Sequence, residues 1–226
     1  MTGLLEYHGL KISWLGHDGF KIKSARTIYI DPVEIKPDEE ADILLITHDH
    51  FDHCSPNDVE KIVSAKTIIV TTPAAKRQLS RTKAREIRTA KPGEKILIGN
   101  ISIETVPSYN VNKFRSPGKV FHPKESEMLG FVVTLNGVRF YHSGDSDLIP
   151  EMEQLNVDIA CLPVSGIYVM TAEEAAEATR RIKPKIAIPM HYGLIAEDDG
   201  SLLGKQEDAE RFKRLAACEV RMLARD

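Results

Sequence analysis

An almost purely apolar run, Ile43 to Ile46, leads straight into THDHFDHCS, residues 47 to 55, where three histidines and two aspartates fill six positions. A buried strand that ends in cation-binding side chains constrains a fold strongly. In extended chain alternate residues face the same way, so His48, His50 and Asp52 project from one side while the strand persists. His53 follows at once and turns elsewhere as the chain bends. Two neighbouring imidazoles are half of a tetrahedral metal site, and a carboxylate with an imidazole is half of another. A pair of metals roughly 3.5–4 Å apart can hold a hydroxide and clamp an ester or phosphate. The plainer alternative, a solvated polar loop, does not account for this density of ligand types directly after an apolar strand.

The rest of the chain fits a globular protein. Its 226 residues are 42% hydrophobic and 28% charged, ordinary proportions for a folded domain with a sizeable core. We expect a single domain over residues 1–226, because no linker composition or short repeat divides the chain. A net charge of -3 provides no basic excess for nonspecific nucleic-acid binding, so no nucleic-acid partner is expected. The three cysteines, Cys54, Cys161 and Cys218, are odd in number and far apart, which points to a reducing compartment. The N-terminal residues resemble no signal peptide, and no stretch approaches the roughly 20 apolar residues of a membrane span. A cytoplasmic location without membrane association is expected. Oligomeric state is not legible.

Short apolar runs predict strands over Leu10–Trp14, Phe20–Ile22, Thr27–Ile30, Ile43–Ile46, Lys66–Val70, Val157–Pro163, Ile186–Met190 and Glu219–Leu223. Ile96–Val106 reads as a hairpin turning at Gly99-Asn100, and FVVTLNGVRFYH as another turning at Asn136-Gly137. Helices are expected after Ser55-Pro56, where Asp58 lies three beyond the cap, over TPAAKRQLS, over TAEEAAEATRRI with a Thr171/Glu174 capping box, and over Gln206–Ala217. Asn110 to Glu127 shows neither period and reads as a long loop carrying Lys113, Arg115, Lys119 and Lys124. Asp198-Asp199-Gly200 reads as a turn. Strands then helices, twice over, suggest two facing sheets with helices outside.

The ligands of one loop cannot close two sites. Five histidines lie outside the cluster: His8, His17, His122, His142 and His191. His142 and Asp145 stand in FYHSGDSD and His191 in IAIPMHYG, each at the end of an apolar strand, as a metal site on a rigid sheet edge requires. His8 reads as a surface residue and Cys54 as a small packed one. His17, in GHDG, is a candidate pocket residue or a turn histidine.

With His48-x-His50-x-Asp52-His53, the SGDSD around Asp145 and the PMHYG around His191, the chain resembles the metallo-β-lactamase-fold hydrolases over almost its whole length. WLGHDGFKI, TIYIDP, VPSYN and FYHSGD are similar to the branch called UlaG-like or UPF0173 metal-dependent hydrolases. The resemblance implies an α+β fold, a four-layer αβ/βα sandwich of two facing mixed sheets with outer helices. It implies that His48 and His50 bind a first metal, that Asp52, His53 and His191 bind a second, and that Asp145 bridges them. A water between the metals would be the nucleophile, oriented by Asp52. The family's third histidine for the first metal falls on Asn110, beside Tyr109, and a carboxamide oxygen is a weak ligand. His122, in the long loop, could fold back as that ligand or as a proton donor to the leaving group, stiffened by Pro123.

Two divalent ions are therefore expected, zinc first, with manganese, iron or nickel suiting the same donors. Tyr109, Asn110, His17 and His142 are expected to line the pocket, His142 in a supporting place. The loop cations would favour a small anionic substrate: a phosphodiester, a phosphate ester or a lactone. The alternative is a catalytically weak metal- and ligand-binding regulatory protein of the same fold, motivated by Asn110.

Overall fold

The computed structural model describes residues 3–37, 39–195 and 202–226. The chain forms two compact units, Met1–Lys91 with Leu223–Asp226, and Pro92–Met222.

The first unit is built on seven strands: β1 (Leu5–Tyr7), β2 (Leu10–Gly16), β3 (Gly19–Lys23), β4 (Thr27–Ile30), β5 (Ile43–Leu45), β6 (Ile68–Thr71) and β7 (Glu86–Thr89). They lie in one sheet in sequence order. β1 to β4 pair antiparallel, and β4 to β7 pair parallel. The first hairpin closes over His8 and Gly9, both at positive φ (46° and 79°), the backbone that matches strand twist in a two-residue turn. Helices α1 (Pro56–Ile62) and α2 (Pro73–Gln78) cover one face. Val59, Ile62, Ala75 and Leu79 pack there on Leu15, Tyr29, Leu44 and Ile69, with Cys54 among them. Burial pushes the Cys54 thiol up to about 12, so it is an inert core residue.

Ser55 caps α1 by accepting from Asp58 N. The Asp58 carboxylate does not complete a capping box. It accepts instead from Glu34 N (2.9 Å), Ile35 N (3.1 Å) and Lys61 Nζ (2.7 Å). Burial raises the Asp58 pKa, but Lys61 and these donors more than offset it and hold the group below the usual carboxylate range.

The chain returns to this unit at its far end. Arg225 Nε donates to Leu15 O (2.9 Å) and Asp226 N to Trp14 O (2.9 Å). Gly16 sits at φ +104°, a backbone that other residues rarely adopt, with Arg225 packed against it.

The second unit repeats the plan. Its strands are β8 (Lys95–Ile98), β9 (Ile101–Pro107), β10 (Phe114–Ser116), β11 (Lys119–Val120), β12 (Leu129–Leu135), β13 (Val138–His142), β14 (Ile159–Pro163), β15 (Ile186–Met190), β16 (Leu194–Ile195), β17 (Leu202–Leu203) and β18 (Glu219–Val220). Seven form a sheet in the order β18-β15-β14-β13-β12-β9-β8, antiparallel from β8 to β13 and parallel from β13 to β18. β12 and β13 turn at Asn136 (φ 52°) and Gly137 (φ 77°), the left-handed pair that asparagine and glycine tolerate best. Helix α3 (Ala172–Ile182) starts with the full Thr171/Glu174 capping box, and α4 (Gln206–Leu215) packs against it.

Two expectations need correction. The 110–127 segment is not an irregular loop: β10 and β11 form a hairpin inside it, followed by a short 3-10 turn at Lys124–Ser126. The turn at Pro117-Gly118, with Gly118 at φ +74°, permits this pairing. The last strand stops at Val220, not Leu223, because residues 223–226 belong to the first unit. Asp198-Asp199-Gly200 lies outside the described residues. No helix among the described residues is long and apolar enough to cross a membrane.

Candidate metal centre

In both sheets the chemistry sits where parallel strands end, the edge at which such sheets place ligands. In the first unit β4 runs into Asp31 and β5 into Thr47 to His53. Asp31 is fully buried. Its Oδ1 accepts from Thr47 N (2.8 Å) and its Oδ2 from Thr47 Oγ1 (2.6 Å), and Oδ2 lies 2.9 Å from His53 Nδ1. Thr47 Oγ1 lies 3.0 Å from His48 Nδ1. With the Thr47 hydroxyl proton given to Asp31, its oxygen accepts from His48 Nδ1–H, and His53 Nδ1–H donates to Asp31. Both imidazoles then present a bare Nε2, the tautomer a cation needs.

Around His53 Nε2 stand Asp18 Oδ2 at 3.4 Å and Asp52 Oδ2 at 3.7 Å. His17 Nε2 lies 3.1 Å from Asp52 Oδ2, a hydrogen-bond distance. His17 is buried at φ 48°, and Asp31 sits at φ 43°. Left-handed backbone at two non-glycine residues of one cluster is strain that the surrounding structure must hold. The His48 and His50 rings meet edge-on with centroids 4.5 Å apart, and His50 is exposed.

In the second unit β13 ends in His142, β14 leads to Ser165 and β15 to His191. The buried Asp145 offers one oxygen to each of two imidazoles: Oδ2 is 3.6 Å from His122 Nε2, and Oδ1 is 3.4 Å from His191 Nε2. Ser165 Oγ lies 3.0 Å from His191 Nδ1. His122 is 2% exposed. Asn110 holds it by the backbone: Asn110 Oδ1 accepts from His122 N (2.9 Å), and Asn110 N donates to His122 O (2.8 Å). Asn110 Nδ2 donates to Tyr168 O (2.8 Å).

Asn110 thereby positions the backbone of His122. Its carboxamide is spent on two backbone groups. The Tyr109 hydroxyl donates to Glu151 (2.9 Å), with Lys124 over the ring. The buried His142 accepts at Nδ1 from Gly144 N (3.2 Å). The loop cations are not a loose set. Lys113 pairs with Glu174 (2.7 Å) and Lys124 with Glu151 (2.7 Å), and Arg115 lies over Phe121. Asp147 also pins the loop, accepting from Val111 N and Asn112 N.

Asp18, Asp31, Thr47, Asp147 and Ser165 were not singled out from sequence. Only Asp18 and Asp31 carried a signal: an aspartate in a glycine-bounded turn beside His17, and one at the end of an apolar strand.

The donor chemistry fits a divalent cation. Two ligand atoms about 2.1 Å from a tetrahedral ion stand about 3.4 Å apart. The His53–Asp18, His191–Asp145, His122–Asp145 and His53–Asp52 separations are 3.4, 3.4, 3.6 and 3.7 Å, too long for hydrogen bonds and right for donors sharing an ion. Every one of these side chains is buried, and buried carboxylates and imidazoles at such spacing need a compensating charge.

Residues 11–191 match the family profile of the beta-lactamase superfamily domain. A UPF0173 metal-dependent hydrolase of Thermoplasma acidophilum is 32% identical over 92% of this chain and 91% of its own length. One from Methanoculleus marisnigri is 32% identical over 91% and 88%. Among solved structures, a candidate metal-dependent hydrolase of Parabacteroides distasonis superposes with a TM-score of 0.81 at 30% identity, covering 99% of this chain and 98% of that one. The two seven-stranded mixed sheets with their helices are the metallo-β-lactamase fold, and by sequence and structure alike the chain belongs to the beta-lactamase superfamily, among the UPF0173 metal-dependent hydrolases.

Proposed function

We propose that the protein hydrolyses a small anionic ester, a phosphodiester, phosphate ester or lactone, with two divalent ions, zinc first. His48, His50, Asp52 and His53 supply ligands together with Asp145 and His191, as the family resemblance implies. The observation that carries this reading is Asp145, whose two oxygens each face a different imidazole at 3.4–3.6 Å, as a carboxylate serving two cations would. The ions, when bound, lower the pKa of water and draw charge from the scissile bond.

The chain's own residues do the rest. Asp31 and Thr47 keep His48 and His53 in the Nε2-acceptor tautomer. Asp52, held by His17, accepts a proton from the attacking water and orients it. Asn110 fixes the His122 backbone, so that its Nε2 serves either as a further ligand or as the donor that protonates the leaving oxygen. The anionic preference rests on the cations, since Lys113 and Lys124 are already neutralised by carboxylates.

Purified protein, reconstituted with zinc or manganese, is to be offered chromogenic phosphodiesters, phosphate monoesters and a lactone series. Turnover that disappears on chelation and returns with metal is expected. Stoichiometric metal without cleavage across the panel sinks the hydrolase reading, and ligand-dependent thermal shifts without product would then favour a binding protein. His122→Ala should lower metal affinity tenfold or more if His122 is a ligand; unchanged metal binding with slowed turnover of poor leaving groups identifies the proton donor.

A further inference from the structure

Residues 76 to 85, KRQLSRTKAR, hold five cations, Lys76, Arg77, Arg81, Lys83 and Arg85, and no carboxylate. The chain as a whole is acidic, at -3, so this is a basic island. Several cations elsewhere are used internally: Lys23 pairs with Glu39, Lys61 with Asp58 and Arg88 with Glu86, each at 2.7 Å. Arg77, Arg81 and Lys83 are exposed, and their side chains make no ion pair or hydrogen bond among the described residues. Charge placed without an internal partner is available to an external one.

These three side chains line two adjoining, open surface depressions at α1 and α2, which share Glu60, Arg81 and Thr82 and together form a shallow groove. Its larger part measures about 450 Å³ and is lined by Arg77, Gln78, Ser80 and Arg81; an adjoining part of about 240 Å³ shares Arg81 and adds Lys83. Glu60 lies in both parts, leaving two positive charges in excess. That volume is in the small-ligand class. Guanidinium groups flanked by hydroxyls and a carboxamide suit phosphate oxygens, which take bidentate donors. One lining residue also reaches the candidate metal centre: Gln78 Nε2 donates to Asp49 O at 2.7 Å, between His48 and His50.

The geometry points to a second ligand site: this groove binds a small phosphate-bearing anion of diphosphate charge, held by Arg77, Arg81 and Lys83, with Gln78 joining it to the ligand loop. The site stands on its own residues and does not depend on the hydrolytic reading.

Calorimetric titration of the metal-loaded protein with inorganic pyrophosphate, ADP and a short single-stranded RNA tests it. A saturable site for pyrophosphate or ADP, additional to any at the metal centre, is expected, weakened about tenfold or more by Arg77→Ala/Arg81→Ala and unaffected by Lys213→Ala on α4. Tighter binding of ADP than of pyrophosphate identifies a nucleotide as the source, and equal binding a free diphosphate. Arg77→Gln/Arg81→Gln, which keeps side-chain bulk, should weaken binding to the same degree. An isotherm unchanged by the double substitution puts all of the anion on the metal ligands and overturns the proposal. So does the absence of binding, or binding of RNA alone with a steep salt dependence, which would make the patch a polyanion surface.

Discussion

In the first unit Asp31 and Thr47 orient two imidazoles at once, and every donor except Asp18 and His17 comes from residues 47 to 53. In the second unit the centre is Asp145 itself. Its imidazoles arrive from positions 122 and 191, each held separately, His122 by Asn110 and His191 by Ser165. One half is a contiguous cassette with shared support, and the other is a set of distant residues with private supports. Damage should therefore spread in the first half and stay local in the second.

The largest effect is expected at Asp145, the one residue that private support does not protect. Asp145→Ala should bring metal content, measured by elemental analysis, below about half of the wild-type value, because on the proposed reading one carboxylate would serve two ions. A folded variant with unchanged metal removes Asp145 from the bridging role.

Asp31→Ala comes next. It strips acceptors from Thr47 N, Thr47 Oγ1 and His53 Nδ1 together in a fully buried place. Unsatisfied buried donors imply a loss of about 3 kcal/mol, or roughly 6–12 °C in Tm for a chain of this size. Ser165→Ala, touching one imidazole, should cost about 1 kcal/mol and roughly 2–4 °C. Equal losses in the two variants by calorimetry would erase the contrast between shared and private support. Asn110→Ala falls between them, at about 2 kcal/mol, with His122 loosened while His191 stays in place; histidine resonances followed by NMR would show whether both move.

The smallest effect concerns acid. Asp58 in the first unit and Glu174 in the second each brace a neighbouring segment, residues 34–35 and 112–113 respectively. For both, burial raises the pKa, but hydrogen bonds led by Lys61 and Lys113 more than offset it, so the folded values lie below the ordinary ones. A depressed carboxylate stabilises fully above its unfolded pKa, about 4, and that contribution is lost as pH falls through the folded value. Asp58→Asn and Glu174→Gln should flatten the acid limb of the stability curve, each by about 1 kcal/mol or less, since one face of each pair meets solvent. An acid limb as steep as the wild type's removes these braces from the account.

The same contrast explains what could be read in advance. The 47–55 cassette is legible because its ligand types are adjacent and follow an apolar strand. The central strands of both sheets, both tight turns and the α3 cap were legible from period and turn chemistry, whereas the short strands β1, β7, β16 and β17 were not. The tie between Asn110 and His122 was not legible, because position along the chain says where a residue falls and not which way its carboxamide turns; only the fold places His122 N within 2.9 Å of it. Ser165 was silent for the same reason, since its partner lies 26 residues away; the place of Asp31 at a strand end was visible, but its partner His53, 22 residues on, was not. The β10–β11 hairpin was missed because its strands are too short to display a period, although Pro117-Gly118 marked the turn.

Arg225 and Asp226 fasten onto Trp14 and Leu15 across some two hundred positions of chain. A ribosome that has just completed β7 has not yet made these residues. The first unit must then wait, with the Leu15 and Trp14 carbonyls unclasped, while the whole second unit is synthesised. Loop closure over such a span is slow, so the part of the protein that emerges first is among the last to be latched.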